Sequence, residues 1–560
     1  MDLSIVQLTN LTKVLPDTQF PIWNENTMTA MPGQRISYQI AMRSSYTMLV
    51  ETAVSGDFAD KVELFRAQLV PVDAPCVQMG HAPMNLDPQD YVTLEPCRIP
   101  DALIPMEELG NKTLLSPNNA VLWVSLDIPK DTAAGTYKYT VDLTFTDVRR
   151  SDAVFTVPCD MTLTVIPVVM PEQQTIYSRW FHADCVATAH HVEIFSEAHW
   201  ELMEKYVAAA ARVGMNMILT PIHTPPLDTA EGTARPCVQL VDIEKNGDAY
   251  TFNFDKLTRF VTMCLRHGIT RFEMAHLFSQ WGAKCPPNIM VTHDGVTDYL
   301  FGWHVSATGP EYTNFLPQYI TAVCNHLKGL GVLDNCFFHI SDEPNLHNID
   351  QYRAAADLLR PLLGDGHTID ALSKTEFCEQ GLVGRPCCVV QSVKKFLDAG
   401  ITDLWTYYCC GPQTGYPNSF LAMQARNNRV LGFLLYRWNI GGFMQWGLNF
   451  YHSQLSYHPV DPWVTTSSEG SFPSGDAFIL YPGHNTVYGS TRAEVMYDAL
   501  QDVRICQALE QYIGRDAVCE ILDKANGDTL EFGNFPKRDG FLIGLRNTLL
   551  NRLAAEAAKK

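Results

Sequence analysis

Residues 335–344 read NCFFHISDEP. The run Cys336 to Ile340 is apolar, too short for a helix and bounded by polar residues, which is the mark of a buried strand. Pro344 brings no N–H to a ladder and disfavours helical backbone just before it, so Glu343 is expected to be extended. Asp342 and Glu343 then stand at the C-terminal end of the strand rather than inside it. The same rhythm runs outward in both directions. Upstream come the apolar segments 175–185, 215–223 and 270–278, with helical patterns at 197–214, 254–268 and 315–331. Downstream come 367–373, 387–392, 404–410 and 441–451, with helical patterns at 349–364, 393–400 and 421–439. Eight short apolar strands with helices between them predict a (β/α)8 barrel. An open doubly wound sheet is the alternative, disfavoured because no glycine-rich phosphate loop follows the first strand.

The flanks read differently. Alternating apolar and polar residues at 35–45, 120–129 and 137–146, and the apolar stretch ending at Pro171, predict strands joined by turns such as PKDTAAGT. Residues 1–171 are therefore expected to form a β-sandwich and carry no chemistry. The barrel is expected over 172–515, including a following helix at 491–513. A helical tail, 516–560, is expected to pack on it.

The 560 residues are 46% hydrophobic and 18% charged, a globular composition with ample material for a core. The net charge of −20 argues against nucleic acid as a partner, because phosphate binding needs clustered Lys and Arg. No window approaches a membrane span. The opening MDLSIVQLTNLTKVLPDTQF lacks a basic segment followed by an apolar one, and the sixteen cysteines show no metal-binding spacing. These features lead to the expectation of a cytoplasmic protein with reduced thiols. Oligomeric state is not encoded in any pattern found.

Barrel enzymes place their chemistry at strand C-termini. The residues expected there are His182, Asp184, His223, His276, Asp342, Glu343, Asp370, Tyr407, Tyr408, Trp446 and Asn449. Carboxylates and aromatics converging on one mouth point to sugar, since aromatic faces stack on pyranose rings and acids serve the glycosidic oxygen. Two adjacent carboxyls are costly to ionise together, so one is expected to keep the proton a general acid needs. Trp180, His182 and Asp184 alternate along the first strand. Three strand-end histidines raise the question of a metal, but no local ligand spacing supports one, and neither metal nor cofactor is expected.

Five ordered motifs then carry a resemblance: HISDEP (339–344), LWTYYCCGP (404–412), RWNIGGFMQWGLNFY (437–451), GDAFILYPG (475–483) and STRAEVMYDALQD (490–502). Together they resemble glycoside hydrolase family 123 and the wider domain-of-unknown-function 4091 group. The resemblance implies a retaining exo-β-N-acetylhexosaminidase, specifically a β-N-acetylgalactosaminidase, working by substrate assistance. It implies that Asp342 orients the 2-acetamido group and that Glu343 is the acid and base. Tyr408 or Tyr407 would donate to the acetamido carbonyl, Trp446 would stack on the sugar, and Asn449, His182, Asp184, His223 and His276 would meet hydroxyls. Two features depart from the group. Related tails often read Asp-Tyr-Glu where this chain has Asp502-Val503-Arg504, and many relatives carry secretion signals, which points here to small imported glycans. Two alternatives remain: another glycosidase of the group pairing Glu343 with a distant carboxylate such as Asp184, and a non-catalytic glycan-binding protein.

Overall fold

The computed structural model describes residues 3–21, 24–78, 85–116, 119–363 and 367–559. The N-terminal region is β-rich. A seven-stranded sheet runs in the order Leu3–Thr9, Arg35–Ser44, Ala120–Asp127, Val62–Val72, Cys97–Pro105, Val487–Ser490, Tyr481–Pro482. A five-stranded sheet faces it, ordered Thr27–Ala30, Arg150–Val165, Gly135–Asp147, Met48–Gly56, Lys112–Leu115. Ile36, Tyr38, Ile40, Leu122 and Val124 of the first sheet pack on Val50, Val141, Leu143 and Leu163 of the second. The period-two alternation sends Val121 and Trp123 the other way, into the large core shared with the rest of the chain. The seven-stranded sheet is thus buried on both faces. Its last two strands come from residues 481–490, so it is not built from residues 1–171 alone.

All eight strands expected between 175 and 451 are present, and all pair in parallel. They form two sheets rather than one continuous ladder. Ile176–Arg179, Gly442–Gln445, Trp405–Tyr407, Arg385–Val389 and Ile369–Leu372 make five strands; Met217–Thr220, Arg271–Met274 and Cys336–Phe338 make three. At one seam a single parallel bridge joins Phe338 to Thr368. At the other, the Asn216 N–H donates to the Tyr177 carbonyl at 3.2 Å, while the Asn216 side-chain oxygen takes the Tyr177 N–H at 2.9 Å. A side chain thus replaces a ladder bond, which is where the pairing breaks.

Two features differ from the sequence reading. A four-stranded sheet of two hairpins, Asp242–Asn246 with Ala249–Asn253 and Ile289–His293 with Val296–Phe301, lies beyond the second and third parallel strands. Asn246-Gly247 and Asp294-Gly295 were its turn signals, and Asp294 and Gly295 both have positive φ as such a turn requires. The helix expected over 421–439 is split at Val430 into Ala425–Arg429 and Leu431–Arg437. These pieces pack under the long helix Thr491–Ile513, with Arg429 bonded to Asp502 at 2.9 Å. The tail helices Arg515–Asn526 and Asp539–Ala557 cover this group. Among the described residues no helix is long and apolar enough to cross a membrane.

The crossing of Leu431–Arg437 and Thr491–Ile513 depends on Gly432. A Cβ there would sit 2.0 Å from the Ala499 carbonyl oxygen, a backbone atom that cannot swing aside. Gly432→Ala is expected to destabilise by about 3 kcal/mol, at the upper end of overpacking costs. Urea unfolding measures this, and a change below about 0.5 kcal/mol would show that the helices do not approach so closely.

Candidate active site

The site begins beneath the acids. Strand Cys336–Phe338 ends one residue before His339, whose ring is fully buried. His339 Nε2–H donates to Glu273 Oε1 at 2.6 Å and Nδ1–H donates to Asp370 Oδ1 at 3.0 Å. Two carboxylate partners require both nitrogens protonated, and they hold the imidazolium against the cost of burial, raising its pKa to about 10. Glu273 also accepts from Ser178 Oγ at 2.7 Å and from Trp180 Nε1 at 2.5 Å. Asp370 accepts from the Ile340 N–H and the Tyr352 hydroxyl. Four parallel strands are therefore locked to one another directly under the acid pair.

Above it, Ser341 Oγ donates to the Ser279 carbonyl at 2.8 Å, and the Trp281 N–H donates to the Asp342 carbonyl at 3.0 Å. Asn345 then opens a capping box with Asn348. Glu343, anchored between these ties, does not stay extended: its φ is +40°, in the left-handed region. The preference imposed by Pro344 is overridden because the chain must reverse between two fixed points. A non-glycine residue held there costs about 1–2 kcal/mol, and such strain gathers at functional sites. Glu343 is exposed, and Tyr407 Oη donates to its Oε1 at 2.6 Å, leaving Oε2 free. The half-buried Asp342 carboxyl is pushed well above the usual range by burial and then by the Glu343 charge, with the His339 cation opposing.

Asp342 and Glu343 line one cleft of about 690 Å³. Trp180, Tyr407, Trp446 and Phe472 supply aromatic walls, and Trp281 lies at its rim. Trp446 Nε1 donates to Asp476 Oδ2 at 2.9 Å, and burial pushes the Asp476 carboxyl up to about 7. Asp228, Gln280 and Gln445 add to the polar lining.

Of the residues named from sequence, Asp342, Glu343, Tyr407, Trp446 and Trp180 meet in the cleft, while the other expected site residues do not line it. Tyr408 points the opposite way from Tyr407, as strand neighbours must, and its hydroxyl donates to Asn428 at 3.1 Å. The first strand stops at Arg179 and a helix, Ala183–His190, starts three residues later, so the alternation expected for His182 and Asp184 ends early. Asp184 is buried against Arg235 at 2.6 Å and His452 at 3.0 Å, and Arg235 holds its carboxyl far below the usual range against burial. The His182 ring lies between the Trp446 carbonyl and Arg235, and burial with that cation lowers its pKa to about 3. Asn449 clamps the His182 backbone through both of its amide atoms. His223 bonds the His276 carbonyl at 2.8 Å, and burial lowers its pKa to about 4. The His276 ring stacks on His339 with centroids 4.1 Å apart.

Sequence reasoning missed Asp228, Gln280, Trp281 and Phe472 because they sit on loops, where no periodicity marks a facing side. It also missed Glu273, although an acid inside the apolar strand TRFEMAHLF was the available signal. Among the described residues, two groups bring three ligand-type atoms together, Asp184–Cys185–His452 and His276–His339–Asp370. In the first, Arg235 already occupies Asp184; in the second, both His339 nitrogens are spent on carboxylates.

The model of the glycoside hydrolase 123 catalytic domain matches residues 180–509, more than half of the chain. No curated protein matches the sequence. Among solved structures, a family 123 glycoside hydrolase from Clostridium perfringens, studied for glycolipid glycan hydrolysis, superposes with a TM-score of 0.73 at 14% identity, covering 100% of this chain and 98% of that one. That likeness is one of fold. A β-glucuronidase from Parabacteroides merdae gives a TM-score of 0.31 at 10% identity, over 83% of this chain and 49% of that one. With the catalytic-domain match running through the cleft and both of its consecutive acids, the chain belongs to glycoside hydrolase family 123.

Proposed function

We propose that this glycoside hydrolase is a retaining exo-β-N-acetylhexosaminidase, with N-acetylgalactosamine as its sugar, acting on small glycans by substrate assistance. One observation carries the reading: two consecutive carboxyls, Asp342 and Glu343, line the same aromatic-walled cleft. In this scheme the acetamido oxygen of the substrate attacks the anomeric carbon. Glu343 gives its proton to the departing glycosidic oxygen as that bond breaks. Asp342 faces the acetamido N–H and the positive charge of the oxazolinium. Water then attacks, Glu343 takes its proton, and the ring opens with net retention. Tyr407 fixes Glu343 through one oxygen and leaves the other for this proton traffic. All sixteen cysteines are free thiols, which supports a reducing compartment and hence small substrates. In the same reading the two parallel sheets work as one (β/α)8 barrel, supported by the ties at both seams. It is flanked by the sandwich of 1–171 and the tail of 516–560.

The test compares matched 2-acetamido and 2-hydroxy aryl glycosides. Intramolecular attack lowers the barrier by about 7–11 kcal/mol in favourable cases, so only the acetamido compound is expected to turn over well. A thiazoline analogue of the intermediate is expected to inhibit competitively, and Asp342→Asn to weaken it more than it weakens product. Equal rates on both glycosides without thiazoline inhibition would overturn the proposal in favour of double displacement. Asp184, sealed by Arg235, is badly placed to serve there, and Asp228 is the remaining cleft carboxyl.

Glu343→Gln should lose about 10²–10⁴-fold on a disaccharide, the usual worth of general acid–base catalysis, and far less on a nitrophenyl glycoside that needs no protonation. Equal losses on both leaving groups would remove Glu343 from the acid role.

The pH profile has a definite sign. Asp342 must be ionised to face a cation, and its carboxyl is raised, so kcat/KM should fall on acidification with a midpoint above the ordinary carboxylate value of about 4. Asp342→Asn should lose that limb. A wild-type midpoint at or below about 4 would contradict the assignment.

A further inference from the structure

We propose that Asp228 is a specificity residue of this cleft, accepting a hydrogen bond from a ring hydroxyl of the bound sugar and so making that hydroxyl obligatory. The inference rests on the reading of the cleft as a glycosidase site and adds a residue that no motif marks.

Asp228 lies on the loop after strand Met217–Thr220 and lines the cleft. Every group on it but one is tied down. Its N–H donates to Gln280 Oε1 at 2.7 Å, and its carbonyl accepts from Ser456 Oγ at 2.7 Å. Its Oδ2 accepts from the Leu455 N–H at 2.9 Å. Oδ1 has no partner among the described residues. The backbone is held at φ +42°, and Leu455 and Ser456, which grip it, are also left-handed, at +58° and +55°. Three strained residues thus converge to present one unpartnered carboxyl oxygen.

The surroundings explain why this oxygen wants a hydroxyl. Arg235 is committed to Asp184, and among the described residues no cation is paired with Asp228. Burial outweighs the nearby Arg235 and His452 charges and raises its carboxyl to about 6. A partly desolvated acceptor without a counter-ion is costly to leave unpaired, and a sugar hydroxyl supplies the missing donor without bringing charge. Spacing is set by one dipeptide: Gln280 holds Asp228, and the next residue, Trp281, holds the Asp342 backbone. A sugar whose acetamido group meets Asp342 therefore presents its ring to an acceptor fixed in the same frame.

The experiment measures kcat and KM for wild type, Asp228→Ala and Asp228→Asn on the parent 2-acetamido aryl glycoside and its 3-, 4- and 6-deoxy derivatives, alongside calorimetric binding of the matching free sugars. Asn tolerates left-handed backbone, so the second variant guards against a folding failure. Asp228→Ala should lose about 10–100-fold in kcat/KM on the parent compound, the range for a hydrogen bond to a charged group, and Asp228→Asn less. One deoxy derivative should lose as much on wild type and nothing further on Asp228→Ala. Wild-type constants in both variants, or a loss independent of which hydroxyl is removed, would overturn the role while leaving the reaction intact. A loss beyond about 10³-fold with rescue by azide would make Asp228 the nucleophile and overturn both readings. If wild type hydrolyses no panel member, binding decides: sugar binding that the variants weaken for one hydroxyl only keeps the residue and removes the reaction, and unaltered or absent binding removes both.

Discussion

The architecture of the site hangs on a buried imidazolium between two carboxylates. His339 directly follows the strand that precedes the acids, Glu273 sits on the neighbouring strand, and Asp370 lies on the strand across the seam. Burying three charges does not by itself add stability, since desolvation offsets much of the attraction. What such a network gives is direction. A single misplaced partner would leave an ion without compensation, so only one registration of the strands is tolerated. The seam at Phe338, spanned by one backbone bridge, is the place where the ladder is weakest. There the Asp370 carboxylate also takes the Ile340 N–H and the Tyr352 hydroxyl. Side chains hold the sheets together where backbone does not.

That foundation lets the next layer carry strain. Glu343 at φ +40° and Asp228 at φ +42° both depart from the backbone their side chains prefer. Neither distortion would persist on a soft support. Glu343 is fixed by the Trp281 tie on one side and the Asn345 capping box on the other, and Asp228 by Gln280, Leu455 and Ser456. The loops carrying Asp228 and Gln280–Trp281 leave the second and third parallel strands and precede the hairpins of 242–253 and 289–301, while Asn345 follows the fourth strand and Leu455 and Ser456 follow the eighth. The hairpins thus lie in sequence beside two of the segments that line the cleft.

The parts that could be read from sequence were those with a local period. Eight apolar runs survive as eight parallel strands because each has to be buried on both sides, a demand written into consecutive residues. The paired acids could be placed at a strand end because Pro344 follows them. Tyr407 and Tyr408 were known to face apart, but parity alone did not say which faced the cleft. The misplaced residues share a different cause. His182, Asp184, His223 and Asn449 are expected at the mouth because a barrel places its chemistry at strand C-termini. They are instead buried and paired with backbone or with one another, in contacts far apart in sequence such as Asp184 with Arg235 and His452. Long-range pairing of this kind leaves no trace in spacing. The close approach of Gly432 to Ala499 is likewise something only the packed structure reveals.

The aromatic walls follow the same logic as the acids. Trp180 and Trp446 each spend the indole N–H on a buried carboxyl, Glu273 and Asp476. An indole has one donor, and once it is committed the ring plane is no longer free to turn. Glu273 therefore sets two things at once: the charge of His339 beneath Asp342, and the face that Trp180 offers to the cleft. Trp281 differs. Its ring is 49% exposed, and among the described residues its hydrogen bonds run through backbone rather than through the indole. The cleft thus combines a rigid floor, whose aromatic planes are pinned from below, with a rim whose ring can adjust. In the proposed reading, a sugar ring held over Asp342 meets the fixed surface and the group leaving it meets the exposed Trp281 ring, so discrimination is stricter for the first than for the second.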